Sequence, residues 1–508
     1  MMLNPLPQSP REDDRSYTRP ARRFVGLRLE GLEERAVPAV LTVDADGGKA
    51  FTSISAAIAA AKTNDTIKVY DAAADYTEQL TIPAGKNGLK ILAAEVGVVL
   101  NSPPDVTQAT VAGANLGGAI IDIRSVKVTI QGLTLNGATN TDGELFSGIR
   151  VMEGGSATIK NNTITGLTTS ADAEFGIGVH VGTDRGTGSI GTARLESNTI
   201  NNYLGVGVLV DGAGSSAKIN KNIITGRGAA STFTQHGVQV QRAATAKITS
   251  NTIADHTIEL FGVGSFGVYL SESVGKNLVS KNNIHNNVIG IALEYCDGTV
   301  RDRTDILSNA VAANDFGISL FESDRVQVKR NDVRDSAVYG IITWGDTFAT
   351  STSNVKINNN KVRKSGADGI VISGGQFNEI RSNLVFANGA NGIWVEESSN
   401  NRVWNNRISL NAFSGLYVLG GTGNNLWLTQ SIFNVEDGVE LENTTFSVVM
   451  SSSLTFNAGY GIRLTNADNT TISRNLAKDN GSGSIFIDAA SENVTTKGNR
   501  IDDPIIDL

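Results

Sequence analysis

The sequence contains one cysteine, Cys296, in 508 residues, which excludes a disulfide-stapled scaffold and any thiolate metal cluster. No run approaches 18 uninterrupted apolar residues, so we expect no membrane-spanning helix. The 43 Lys and Arg residues are outnumbered by 51 Asp and Glu, for a net charge of −8. This acidity argues against a nucleic-acid partner, because such proteins usually carry a basic face. With only 9 prolines but 55 glycines, the composition predicts a folded, turn-dense chain.

Residues 1–40 differ from the rest, with arginines but no lysine and without an apolar run long enough for a conventional signal peptide. We interpret them as a disordered leader. The segment Leu29-Glu30-Gly31-Leu32-Glu33-Glu34-Arg35 resembles the Leu-Glu-x-Leu-Glu-x-Arg sorting element of planctomycete exported proteins. That resemblance implies a secreted or cell-surface bacterial protein, whereas the alternative is a charged leader that carries no signal.

A short repeat dominates the chain from Gly148 onward: a Gly, an Ile, Val or Leu, any residue, and usually another apolar residue. The later repeats mostly recur every 23 residues. The glycines of this column are Gly148, Gly178, Gly207, Gly237, Gly267, Gly290, Gly317, Gly340, Gly369, Gly392, Gly415, Gly438 and Gly461. Each repeat is too short for a helical period and alternates as a strand does. We expect each glycine to start a strand at a bend with unusual φ and ψ.

A second column of asparagines keeps step with the glycines, as in Asn360, Asn383 and Asn406. Asn tolerates left-handed backbone and can hydrogen-bond to the Asn of the next turn. The order of strand, alanine-rich helix at 53–62, turn and strands resembles the opening of right-handed parallel β-helix proteins of the pectin-lyase-like group. The resemblance implies an all-β fold, a single-stranded right-handed parallel β-helix solenoid over 41–508 with a short N-terminal capping helix.

Residues two and four positions after each glycine are expected to point outward from one parallel sheet, where β-helix carbohydrate enzymes commonly place their substrate. Aromatic faces beside carboxylates suit sugar rings, because C–H faces stack while hydroxyls bond to the acids. The alternative is that these aromatic residues pack under inserted loops. The predicted substrate-binding residues are Arg150, Tyr269, Trp344, Trp394, Tyr417 and Glu440.

The candidate catalytic groups are the ionisable members of these columns and the acids that follow them: His180, Asp211, Glu294, Glu322, Asp346 and Glu396. His180 beside Arg150 and Asp211 could abstract a proton in a lyase. Glu440 and Glu442, two apart on one strand, have a spacing that an inverting glycosidase could use, although Arg463 in the next turn would pair with Glu440.

Calcium is a possible cofactor, because Glu294, Glu322 and Asp346 fall on three successive turns and Ca²⁺ takes several oxygen ligands. An acidic residue on a solvated rod needs no such role, so each of these assignments has a purely structural alternative.

Two functions remain open on the sequence alone. The first is a secreted polysaccharide-active or polysaccharide-binding protein, as a lyase, a hydrolase or a binder. The sequence lacks the motifs of polygalacturonases, pectin methylesterases and alginate epimerases, which favours the second: a non-catalytic envelope protein or adhesin. The expected partner is a polysaccharide or a cell-surface glycan, and the expected state is a monomer.

Overall fold

The computed structural model describes residues 37–508, apart from 72, 74, 112–113, 169–175, 184–187, 229–232, 259–263, 274, 300 and 346–351. The leader and its sorting element lie outside these residues. One compact unit comprises Pro38–Leu508. No helix among the described residues is long and apolar enough to cross a membrane.

Three long parallel sheets form this unit, and the chain visits sheet A, sheet B and sheet C in turn on almost every coil. The strands of sheet A are Val40–Val43, Thr66–Val69, Lys90–Ala93, Val128–Gln131, Gly155–Lys160, Gly191–Glu196, Ser216–Asn220, Thr245–Thr249, Leu278–Ser280, Asp305–Leu307, Gln327–Lys329, Lys356–Asn358, Glu379–Arg381, Arg402–Trp404, Asn425–Trp427, Val448–Met450, Thr471–Ser473 and Thr495–Lys497.

Sheet B follows sheet A after two residues in most turns. Its strands are Tyr76–Thr77, Val99–Asn101, Thr134–Asn136, Thr163–Thr165, Thr199–Asn201, Ile223–Thr225, Thr252–His256, Asn283–Asn287, Ala310–Ala312, Asp332–Arg334, Lys361–Arg363, Leu384–Phe386, Arg407–Ser409, Gln430–Ile432, Ser453–Thr455, Leu476–Lys478 and Arg500–Ile501.

Sheet C carries the glycine column. Its strands are Leu80–Ile82, Gly118–Ile123, Leu145–Val151, Ile177–Val181, Val206–Asp211, His236–Gln241, Phe266–Ser271, Ile289–Glu294, Phe316–Phe321, Ile341–Trp344, Ile370–Ser373, Ile393–Glu396, Leu416–Leu419, Val439–Glu442, Tyr460–Thr465, Gly483–Ile487 and Ile506–Asp507. A separate antiparallel pair joins Thr110–Val111 to Ala114–Asn115.

Alternating side chains build one continuous core along the coil. In Ser216–Asn220, for example, Ala217 and Ile219 are buried while the residues between them face outward. Buried Ile, Val and Leu side chains stack on their register partners from Val43 to Ile487 in a single cluster. A strand alone could not cover its apolar face, so each turn depends on its neighbours. The expected parallel β-helix is therefore confirmed.

The predicted capping helix is present as Ile54–Ala60 and packs against the first strands of sheets A and C. Ser53 is its N-cap and accepts a hydrogen bond from the backbone N–H of Ala56 at 3.1 Å. The carboxylate of Glu78 accepts the N–H groups of Ile54 and Ser55 at 2.8 and 2.9 Å. These acceptors satisfy N–H groups that the first helical turn cannot pair internally.

The glycine column has a different physical cause from the one the sequence suggested. None of the glycines from Gly148 to Gly461 in this column has a positive φ, whereas the degenerate last member, Gly483, has a φ of 131°. Instead, a Cβ on Gly392 would lie 2.6 Å from the carbonyl oxygen of Gly415, and one on Gly178 would lie 2.4 Å from that of Gly207. A left-handed backbone is therefore not what selects glycine from Gly148 to Gly461: glycine is required there because successive turns approach too closely for a side chain.

The asparagine column forms a ladder along the axis at the turn between sheets A and B. The Oδ1 atom of Asn360 accepts from the backbone N and the Nδ2 of Asn331, at 2.9 and 3.0 Å. Its Nδ2 atom donates to the carbonyl of Val328 at 3.0 Å and to Oδ1 of Asn383 at 3.1 Å. The axial hydrogen bond is confirmed. The left-handed residue, however, is the preceding one, for example Asn359 at φ 55°.

Candidate functional site

The outward face of sheet C is closed over its first turns. Arg150 is fully buried, and its guanidinium binds both carboxylate oxygens of Asp122 at 2.7 and 2.8 Å. It also donates to the carbonyl oxygens of Leu116 and Gly117, and Leu116 packs on the outward side chain of Met152. The segment before Gly118 thus covers this part of the face. The expectation that Arg150 contacts a substrate on an open face conflicts with its burial.

The predicted lyase trio is not an exposed group either. His180 is the register partner of Arg150, but it is only 8% exposed. Asp211 is 1% exposed and is held by Arg242, whose Nε and Nη2 atoms lie 2.8 and 2.6 Å from its carboxylate oxygens. Arg150 and Asp211 are thus engaged in structural ion pairs, and all three groups are buried. This arrangement does not support proton abstraction from a substrate at this place.

Tyr269 is the first partly exposed aromatic residue in the outward column two positions after the glycines. The outward positions Ala292, Ser319 and Val371 on following turns are buried again, and the column is partly exposed once more from Trp394 onward.

The hydroxyl of Tyr269 donates to Oε2 of Glu294 at 2.5 Å, and its ring contacts Phe266 at 4.6 Å between centroids. His236 stacks on Phe266 at 4.9 Å with an interplanar angle of 11°. Burial raises the pKa of the Tyr269 hydroxyl, and the bond to Glu294 adds to that shift. The hydrogen-bonded pair Tyr269 and Glu294 thus lies at one end of this outward column.

Two tryptophans lie further along this face, as the sequence predicted. Trp344 is 41% exposed; its Nε1 donates to Ser319 Oγ at 3.0 Å, and its ring meets the edge of Phe321 at 4.7 Å. Trp394 is half-buried, and its Nε1 has no hydrogen-bond partner among the described residues. A buried N–H without an acceptor costs free energy, so Trp394 retains an unused donor at the face.

Four register partners on successive turns continue the column after Val371: Trp394, Tyr417, Glu440 and Arg463. The hydroxyl of Tyr417 donates to Oε2 of Glu442 at 2.6 Å. Neighbouring parallel strands are about 4.8 Å apart, so these side chains form a close row. We call the outward side chains of sheet C from Tyr269 to Arg463 the acidic-aromatic face.

Carboxylates with altered acidity lie at one edge of this face. A nitrogen of Arg463, Nη1, is 3.9 Å from Oδ2 of Asp437 and 3.9 Å from Oε1 of Glu440. Burial raises the pKa of Glu440, and the charge of Asp437 raises it further. Burial likewise raises the pKa of Asp437. The arrangement brings two carboxylates with raised pKa values to one guanidinium, whose charge opposes both shifts.

Sequence reasoning missed Asp437 and its counterpart Asp368. Both precede a column glycine, and Asp368 Oδ1 accepts the backbone N–H of Asn391 in the next turn at 2.8 Å. Burial raises the pKa of Asp368. The signal was available, because Asp368, Asn391, Ser414 and Asp437 occupy the same position of the repeat. This position precedes the glycine, whereas the strand pattern predicts outward side chains only after it.

The other predicted acids are dispersed. Glu396 accepts a hydrogen bond from Ser373 Oγ at 3.0 Å, and Glu322, with a left-handed φ of 41°, follows the end of a strand. Asp346 lies outside the described residues. Among the residues that are described, no three His, Cys, Asp or Glu side chains are close enough to hold a metal ion. A calcium site that uses Asp346 stays a prediction.

A hydrogen-bonded chain of titratable groups lies in the interior. The Tyr203 hydroxyl is 2.5 Å from Nε2 of His256, and Nδ1 of His256 is 2.6 Å from Oδ1 of Asn287. Asn287 uses its Nδ2 to donate elsewhere, so its Oδ1 must accept from Nδ1–H, and Nε2 must accept from Tyr203. Burial lowers the pKa of His256 to about 4, although the bond to Asn287 opposes the shift.

The three parallel sheets, the single axial core and the ladders define the class as a right-handed parallel β-helix solenoid. The family described as "Right handed beta helix region" matches residues 177–354 and 348–501. The chain belongs to this family.

Solved structures similar to this chain include an epimerase and a tailspike protein. The periplasmic alginate epimerase AlgG is 14% identical, with 74% of this chain and 77% of that chain covered and a TM-score of 0.42. Dettilon tailspike protein is 17% identical over 68% of this chain and 62% of that one, with a TM-score of 0.39. XylC in complex with xylose is 11% identical over 64% and 75%, with a TM-score of 0.43. No curated protein matches the chain.

Proposed function

We propose that this protein binds a polysaccharide along the acidic-aromatic face. The observation that carries the proposal is the row Trp394, Tyr417, Glu440 and Arg463, one side chain per turn on directly paired strands. Rings in such a row can stack on the C–H faces of sugars, while the carboxylates accept hydrogen bonds from hydroxyls. A repeating row of contacts suits a repeating polymer.

The charge of the face favours neutral or amino sugars over polyanions. Glu396, Glu440 and Glu442 all carry carboxylates near the row, and Arg463 is the basic residue within it. Like charges that face each other without a counterion are repulsive, so a polyuronate would bind here weakly. Polysaccharides of this kind occur outside the cytoplasm, which agrees with the secreted or cell-surface location expected from the leader.

The test measures binding of the full chain to a panel of neutral, amino and acidic glycans. Trp344→Ala and Trp394→Ala should each weaken binding of the preferred glycan by roughly tenfold, the effect of about 1.4 kcal/mol. Trp427→Ala, on the outward side of sheet A, is the matched control and should leave the affinity unchanged. Equal affinity of all three variants and the unmodified protein would overturn the proposal.

A second candidate function is glycoside hydrolysis at the same face, favoured by the raised pKa values of Asp437 and Glu440. A protonated carboxylic acid can donate to a leaving oxygen while a second carboxylate activates water or attacks the sugar. Glu440→Gln should then abolish release of reducing ends while glycan binding persists. If the unmodified protein binds a glycan without cleaving it, the protein is a glycan-binding protein and not a hydrolase. If it neither binds nor cleaves any glycan, the result favours the structural rod or adhesin.

A further inference from the structure

A groove of about 390 Å³ lies on the outer surface of sheet A, on the N-terminal half of the rod. Five cationic side chains line it: Lys127, Arg194, Lys218, Lys247 and Lys276. Its walls also include hydroxyl side chains such as those of Thr192, Ser216 and Thr245. We call this site the basic groove.

The cations are in register across the strands. Arg194 pairs with Lys218, and Lys218 pairs with Lys247, so one positive charge stands on each of three successive turns. Two residues earlier on the same strands, Thr192 pairs with Ser216 and Ser216 with Thr245. The strand spacing of about 4.8 Å therefore sets two parallel rows, one of charges and one of hydroxyls.

The four lysines of the groove lack counterions in the described part of the protein. Arg194 forms one exposed ion pair with Glu196 at 3.3 Å, whereas none of the four lysines forms an ion pair with a described residue. Like charges directly opposite each other on neighbouring strands are destabilising. A protein with a net charge of −8 thus maintains a concentrated positive row at an energetic cost, which an anionic ligand would offset.

The chemistry of the groove identifies the type of anion. Among the described residues, no aromatic side chain lines it, whereas binding of single-stranded nucleic acids depends on rings on which bases stack. A row of cations beside a row of hydroxyls matches a polymer that repeats one negative charge and several hydroxyls per unit. We propose that the basic groove binds an acidic linear polysaccharide, whose carboxylates or sulfates meet the cations and whose hydroxyls meet the Ser and Thr row.

This site is independent of the acidic-aromatic face, which lies on sheet C and carries the opposite charge. The two sites therefore prefer different glycans, and the failure of one proposal is distinguishable from the failure of the other. The probes are polygalacturonate for carboxylates, heparin for sulfates, dextran as a neutral polymer and single-stranded DNA as a non-carbohydrate polyanion.

The decisive variant is Lys218→Gln with Lys247→Gln, which removes two neighbouring charges from the exposed side of sheet A. Its matched control is Lys361→Gln with Arg407→Gln, which removes the same charge from exposed positions of sheet B. The groove variant should bind polygalacturonate or heparin at least tenfold more weakly, and its affinity should depend less on salt, because fewer charges are screened. The control variant and Trp394→Ala should bind these polymers as the unmodified protein does.

Unchanged affinity of the groove variant, or an equal loss in the control, would overturn the proposal. So would single-stranded DNA binding as tightly as the glycans with the same loss in the variant, since the groove would then accept polyanions of another class. Circular dichroism and thermal unfolding of both double variants check that the fold is intact. All four substituted positions are exposed, so a folding defect is not expected.

Discussion

Asn360→Ala tests whether the ladder stabilises the rod turn by turn. The side chain of Asn360 takes part in four hydrogen bonds, which join it to Asn331, Val328 and Asn383. Alanine would leave the backbone N–H of Asn331 and one proton of its Nδ2 without partners. Each buried unsatisfied group costs about 1–3 kcal/mol, so we expect a local loss of about 4 kcal/mol. Thr429 and Ser452 interrupt the same ladder naturally, so the variant should fold.

Native-state hydrogen exchange of the full chain, read by mass spectrometry of peptides, measures this loss where it occurs. About 4 kcal/mol corresponds to an increase of roughly a thousandfold in the exchange rate of the amides near Asn331. The control is Asn359→Gly, one residue away, where an exposed Asn adopts a left-handed φ of 55° that glycine accepts without strain. Its peptides should exchange within a few-fold of the unmodified protein.

Two results would refute this reasoning. If Asn360→Ala exchanges no faster than Asn359→Gly, the ladder contributes nothing to stability. If protection falls equally along the whole rod, the turns unfold as one unit, and the nearest-neighbour account of the coil is wrong.

Two further predictions concern buried ionisable groups. His256 has a pKa of about 4 in the folded protein, below its usual 6.5, so the unfolded chain binds more protons than the folded one between these two pH values. The free energy of unfolding should therefore fall by about 3 kcal/mol as the pH drops from 6.5 to 4. The free energy of unfolding of His256→Gln, measured in urea, should lack that part of the decline with pH. A decline identical to that of the unmodified protein would contradict the role given to His256. Arg150→Met should cost about 3–5 kcal/mol, because it leaves Asp122 charged and buried, and adding Asp122→Asn should restore part of it. If Arg150→Met alone is as stable in urea as the unmodified protein, the expected cost of the unpaired carboxylate is refuted.

The architecture was predictable from the sequence because strict periodicity can be recognised without tertiary information. The columns that contain Gly392 and Asn383 predicted the coil, its axial hydrogen bonds and the alternation of buried and outward residues. The reason for each glycine was not predictable, since it depends on a carbonyl one turn away. Periodicity indicates that a position is constrained, but it does not distinguish a backbone conformation from a lack of space.

The site was less predictable, because outward direction was taken to mean exposure. Arg150 does point out of the coil, yet the segment before Gly118 buries it. Nothing in the repeat pattern predicts that this segment covers the strand. Trp344 and Trp394 lay on the expected face. The glycine column marks only sheet C. It therefore does not indicate the stacked pair Trp404 and Trp427, 5.8 Å apart on sheet A, or the cations of the basic groove.

The equal spacing of the last full turns bears on how such a chain can evolve. From Gly369 to Gly461 the column glycines recur every 23 residues, and each turn contacts the next through the same carbonyls and amides. Duplication or loss of one whole unit in the gene would therefore rejoin matching surfaces and change the length of the protein by one strand spacing. A gain or loss of any other number of residues must be absorbed in a loop between sheets. Lineages of this chain can thus vary in length while the remaining turns stay intact.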